Sequence, residues 1–84
     1  MMYYYVYILQ SDFDDSYYIG YSQNPGKRLE DHNDGRSRYT KNKRPWIIVY
    51  QEEFQEKSDA IKRERFLKQQ RNRSFYKSLI QNNK

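Results

Sequence analysis

Arg28 and His32 stand four residues apart in "KRLEDHN", and His32 is the chain's only histidine. On a helix that spacing puts both on one face, one turn separated. A guanidinium and an imidazole there can bind an anion. They can equally form a solvated helix face with Glu30 and Asp31 as partners. Glu64 is a second candidate. At helical spacing, Ala60, Ile61, Glu64, Leu67 and Lys68 make one stripe, with the carboxylate in its apolar middle. A carboxylate placed there must pair with a base or face a cleft, because an unpaired buried charge costs several kcal/mol. In a cleft, its hard oxygens could hold Mg²⁺. Tyrosines are the third feature, with ten in the chain. In an extended strand Tyr3, Tyr5 and Tyr7 share one side, and Tyr4, Val6 and Ile8 share the other. In a second strand Tyr18 shares a side with Gly20. One face of the pair thus offers phenols beside a residue without a side chain, with room for a ligand or a close backbone approach. Tyrosines also commonly cover a small sheet with their apolar bodies.

The elements that must position these groups are legible in outline. "YYYVYIL" is aromatic and β-branched and reads as a strand from Tyr3 to Gln10. After the polar turn "SDFDDS", a strand from about Ser16 to Ser22 closes an antiparallel hairpin. Asn24 is placed to cap a helix with Pro25 at its first position, and Gly35 to end it. "RSRYTKNKRP" reads as a basic loop or short helical turn, and "WIIVYQEEF" as a third strand. Ser58 can cap a helix over about Asp59–Gln70, and Ser74 can start a last one. The order β-β-α-β-α-α predicts an α+β fold, with a small three-stranded antiparallel or mixed sheet flanked by helices.

The chain's 84 residues allow one domain, taken as 1–84. Cysteine is absent, which excludes disulfides and thiolate metal sites. The N-terminus reads as neither signal peptide nor membrane anchor, so the expected location is cytoplasmic with no membrane partner. Lys and Arg total 16 against 11 acids, a net charge of +5. The bases cluster. Arg36, Arg38, Lys41, Lys43 and Arg44 form one group, and Lys68 and Arg71 lie in another. The acids gather at Asp12–Asp15 and Glu52–Glu56. Such segregation suits a protein that grips phosphates on one side.

Taken together, the motifs resemble the GIY-YIG nuclease superfamily. Tyr5-Val6-Tyr7 stands for its first motif and Tyr18-Ile19-Gly20 for its second. Arg28 and His32 follow on a helix, and Glu64 on a later one. The likeness covers nearly the whole chain and is greatest to short, stand-alone members. Two departures are visible: Tyr5 replaces the first motif's glycine, and the nearest candidate for the late asparagine of many members is Asn72.

The resemblance implies a fold of this class and metal-assisted cleavage of phosphodiesters in DNA, branched or single-stranded, rather than RNA. Glu64 would be the ligand for Mg²⁺ or another divalent cation. Tyr7 would act as general base or water-orienting group, with its phenolate stabilised by the metal or by Arg28. Arg28 would neutralise phosphate charge, and Tyr18 would orient water or phosphate. His32 would contact a phosphate or assist proton transfer. Arg36, Arg38, Lys41, Lys43, Arg44, Lys68 and Arg71 would hold the strand. The alternatives are a non-catalytic nucleic-acid-binding module that keeps the fold, and an interaction domain in which Glu64 merely closes a salt bridge.

Overall fold

The computed structural model describes residues 2–82. The order is β1 (Tyr4–Ser11), β2 (Tyr17–Ser22), α1 (Pro25–Asn33), a 3₁₀ turn (Lys41–Lys43), β3 (Trp46–Phe54), α2 (Lys57–Gln70) and α3 (Arg73–Asn82). This is the expected α+β fold, and its sheet is wholly antiparallel in the order β2-β1-β3. No helix among the described residues is long and apolar enough to cross a membrane.

β1 is central, which explains its continuous run of buried residues, Val6 to Leu9. Its two sides feed two cores. Val6 and Ile8 meet Ile19, Tyr50, Ala60, Leu67 and Tyr76, so α2 and α3 cover that side. Tyr7 and Leu9 meet Trp46, with Tyr18, Leu29 and Ile48 packed around them, so α1 covers the other. Each full burial of an aliphatic side chain such as Ile8 or Leu67 contributes about 2 kcal/mol.

The element ends show where short-range reading fell short. β1 begins and ends one residue later than expected and takes in Ser11. The Ser11 hydroxyl accepts the amides of Phe13 and Asp14 and donates to the Lys43 carbonyl, so it joins the hairpin turn to the basic loop. Asn24 caps α1 as expected, accepting the Lys27 amide at 3.1 Å, and Pro25 is its first residue. Gly35 follows the helix at φ +80, the left-handed conformation that favours glycine. Ser58 does not cap α2. The turn after β3 is short, extended Glu56 takes the cap position, and Ser58 lies inside the helix. Ser74 does not start α3 either. The side chain of Asn72 accepts the amides of Ser74 and Phe75, and the helix begins at Arg73.

Candidate active site

Tyr7 and Gly20 are paired directly across β1 and β2, as are Leu9 and Tyr18. All four therefore lie on the face that α1 covers. The bare Gly20 does not leave ligand space. A Cβ there would stand 2.6 Å from the Tyr7 hydroxyl and 2.8 Å from its Cζ. The glycine makes room for the Tyr7 ring itself, which is 1% exposed.

His32 overturns the reading of α1 as a solvated face. Leu29 alone could not cover this side of the sheet, so the helix also turns His32 inward, and that residue is fully buried. Its ring lies edge-on to Tyr18, 4.9 Å between centroids. Its Nε2 is 3.5 Å from the Tyr7 hydroxyl and its Nδ1 is 2.8 Å from the Thr40 hydroxyl. One tautomer satisfies every group. Nδ1–H donates to Thr40, the Thr40 hydroxyl donates to the Ser37 carbonyl, and Nε2 accepts the Tyr7 proton. Burial pushes the His32 pKa down, and the Arg28 charge adds to this against Asp31. The ring is neutral at pH 7. Being enclosed, it meets the phenol and not a phosphate; of its two expected roles, only proton transfer keeps a contact.

Arg28 lies one turn earlier, half-exposed and held by Asp31 at 3.4 Å. Burial raises the Tyr7 pKa above that of a free phenol. Arg28 opposes this by hydrogen bonding and charge, whereas Tyr18 and Glu64 add to the rise. Glu64 belongs to α2, yet its carboxylate reaches Tyr7 electrostatically. Its side chain is 15% exposed and pairs with Lys68 at 3.5 Å. The described residues enclose no pocket, so of the two readings of Glu64, a cleft or a basic partner, the contact with Lys68 matches the second.

The segment carrying Glu64 is fixed by the residue before it. Arg63 makes a two-pronged contact with Glu52, 2.9 Å on each arm, and Tyr50 donates to the same carboxylate. This fork ties α2 to β3. No sequence signal pairs Glu52 with Arg63, since the partners lie on different elements. Thr40 was missed for the same reason: only a loop folding back on α1 brings it to His32. Asn33 pairs both amide atoms with the backbone of Trp46, and the Trp46 indole donates to the Thr40 carbonyl. Asn72 is occupied as a helix cap.

The basic residues lie on the surface, but their charges are less segregated in space than in sequence. Lys43 pairs with Asp14, bringing the acidic turn to the basic loop. Arg36 pairs with Asp31 and Asp34, and Lys68 with Glu64. Arg44 reaches the carbonyls of Lys41 and Asn33, a loop-holding role. Arg38, Lys41 and Arg71 have no acidic partner among the described residues.

Among the described residues no group of three or more His, Asp or Glu side chains could hold a metal. A cation held through Glu64, the expected ligand, would take its remaining donors from water and phosphate. A single hard oxygen donor suits Mg²⁺, which keeps several waters and takes further oxygens from a phosphate. Lys68 would have to release the carboxylate.

The sequence profile of the GIY-YIG catalytic domain matches residues 3–77. A UPF0213 protein of Staphylococcus haemolyticus is 48% identical over 61 residues, covering 71% of this chain and 73% of its own. A UPF0213 protein of Staphylococcus aureus strain Mu3 is 46% identical over the same shares. The solution NMR structure of a UPF0213 protein from Bacillus halodurans is 31% identical. It superposes with a TM-score of 0.59, covering 95% of this chain and 84% of that one. With the domain profile running from the edge of β1 into α3, the chain belongs to the GIY-YIG family, a nuclease-type family that acts on nucleic acid.

Proposed function

We propose that this domain hydrolyses phosphodiester bonds in DNA, in branched or single-stranded substrates, with Mg²⁺ held by Glu64. The observation that carries this reading is the Tyr7 phenol: buried in the fold, its hydroxyl meets His32, with the charges of Arg28 and Glu64 both in range.

In this reading Tyr7 takes the proton of the attacking water as a bond forms to phosphorus and the bond to the leaving oxygen breaks. Tyr7 first gives up its own proton to solvent, its phenolate stabilised by Arg28 and by the cation when bound, while His32, neutral and accepting at Nε2, orients the hydroxyl beforehand. Arg28, half-exposed, neutralises charge that builds on the phosphate oxygens. Tyr18, packed edge-on against His32, orients the phosphate or water. A bound Mg²⁺ supplies Lewis-acid charge to the phosphate and leaving oxygen.

The binding-module reading also has support. The Lys68–Glu64 pair occupies the proposed metal ligand, and the raised pKa keeps Tyr7 protonated at neutral pH.

Purified protein with labelled single-stranded, duplex and branched DNA separates the two. Cleavage is expected in Mg²⁺ and not in EDTA. Glu64→Ala should abolish it, and Tyr7→Phe should slow it by about 10²–10⁴-fold, the usual size of a general-base contribution. Salt-sensitive binding without cleavage in any of these conditions would sink the nuclease reading in favour of the module.

A further inference from the structure

Tyr39 is 84% exposed, the largest exposure among the exposed large apolar side chains of the described residues. An aromatic ring left in water forgoes the stabilisation that burial would bring, and here it projects from a loop that the fold holds firmly. The Ser37 carbonyl accepts the amides of Thr40 and Lys41. The Thr40 hydroxyl is bound to His32 and its carbonyl to the Trp46 indole at 2.9 Å. The Lys43 carbonyl is held by Ser11 at 2.6 Å, and the Lys41 carbonyl by Arg44 at 2.6 Å. The backbone on the C-terminal side of Tyr39 is thus held both within the loop and by other elements.

Its charged neighbours point to the ligand. Arg38 directly precedes Tyr39 and Lys41 follows two residues on; both are exposed, with no acidic partner among the described residues, unlike Arg36 and Lys43 in the same loop. An exposed aromatic ring with available cations on either side of it in the chain is the combination that takes a nucleobase by stacking and the flanking phosphates by charge. A base in a duplex is already stacked and hidden, so the ring can serve only an unpaired one. The next residue, Thr40, touches His32, which touches Tyr7. The loop that carries Tyr39 is thus anchored on the candidate active site.

We propose that Tyr39 is a stacking platform for an unpaired base of single-stranded DNA, with Arg38 and Lys41 holding the adjoining phosphates. The proposal rests on the reading that this domain acts on DNA, but not on its being catalytic.

The test is binding in EDTA by fluorescence anisotropy, with three probes: a labelled single strand, a strand of the same length without bases, and a blunt duplex. The expected result for Tyr39→Ala is an affinity for the single strand lowered about tenfold, the scale of one base–aromatic stack. Tyr39→Phe should keep the wild-type affinity. Tyr39→Ala should leave binding to the baseless strand and to the duplex unchanged. Arg38→Ala should instead flatten the salt dependence by about 0.7 in log–log slope, and Tyr39→Ala should not. Because the ring is exposed, its removal leaves the core intact. If wild type binds the single strand and Tyr39→Ala binds it equally well, the platform is overturned while the nucleic-acid reading stands. An equal loss on the baseless strand also overturns it. Failure of wild type to bind any probe at low salt overturns both. Normal Tyr39-dependent binding in a protein that does not cleave in Mg²⁺ supports the platform and removes only the nuclease step.

Discussion

At the scale of single residues, Gly20 matters for what it admits. Exchanging glycine for alanine in a strand normally helps folding, because glycine loses the most freedom on ordering. Here the added methyl would meet the Tyr7 hydroxyl and Cζ inside van der Waals distance. The ring is packed in the core and cannot swing clear. Gly20→Ala should therefore destabilise by about 1–3 kcal/mol, the usual penalty of overpacking. It should also shift the Hε1 resonance of the single histidine, because the phenol must move against His32. Denaturant titration and a proton NMR spectrum check both. An unchanged midpoint would mean that the ring has another place to go. The Gly20 pairing was visible in the sequence as a phenol and a bare position on one face. What the gap contains was not, because a strand pattern gives the side of a residue and not the rotamer that fills the space above it.

At the scale of elements, the end of α2 shows a local cost. Arg71 adopts φ 47, ψ 39, a left-handed conformation that disfavours residues with a Cβ. The join to α3 is then closed by Tyr76. Its hydroxyl donates to the Leu67 carbonyl at 2.6 Å and accepts the Arg71 amide at 3.2 Å. Arg71→Gly should relieve the strain and stabilise the fold by about 0.5–1 kcal/mol after the added freedom of the unfolded chain is counted. If Arg71 holds DNA, the same variant should bind it more weakly. A raised denaturation midpoint with lowered DNA affinity is the expected pair of results, and a lowered midpoint would contradict the strain argument. Helix α1 was legible from Asn24 and Pro25 because its cap is a bond between residues three apart. The caps of α2 and α3 were not, because neighbouring candidates compete: the short turn after β3 decides for Glu56, and the Asn72 amide outdoes the Ser74 hydroxyl.

For the whole molecule, the buried titrating groups set a pH window. Burial holds His32 below its ordinary value near 6.5. As pH falls below that value the unfolded chain takes up a proton that the folded one resists, so stability is lost toward the depressed folded pKa. Tyr7 and Tyr50 act in the opposite range. Burial raises both, and the adjacent Glu52 helps push Tyr50 up to about 12. The unfolded phenols ionise near pH 10, so the stability tied to their neutral forms is complete below that and lost as pH rises above it, for Tyr50 between about pH 10 and 12. Urea midpoints should form a plateau near pH 7–9 and fall on both sides, with Tyr50→Phe flattening the alkaline limb. A midpoint that does not move between pH 9 and 11.5 would contradict this.

The sequence by itself determined the element order, the hairpin face carrying Tyr7, Tyr18 and Gly20, the capped entry to α1 and the family resemblance. These depend on period, local caps and motif spacing, all of which act between near neighbours. Tertiary structure alone decided that His32 is a core residue in contact with Tyr7 and Thr40, and that the Glu52–Arg63 fork anchors the helix carrying Glu64. It also decided that the acidic turn lies against the basic loop through Asp14 and Lys43. Those contacts join residues from separate elements, and their energies become available only once the sheet and helices have packed and excluded water.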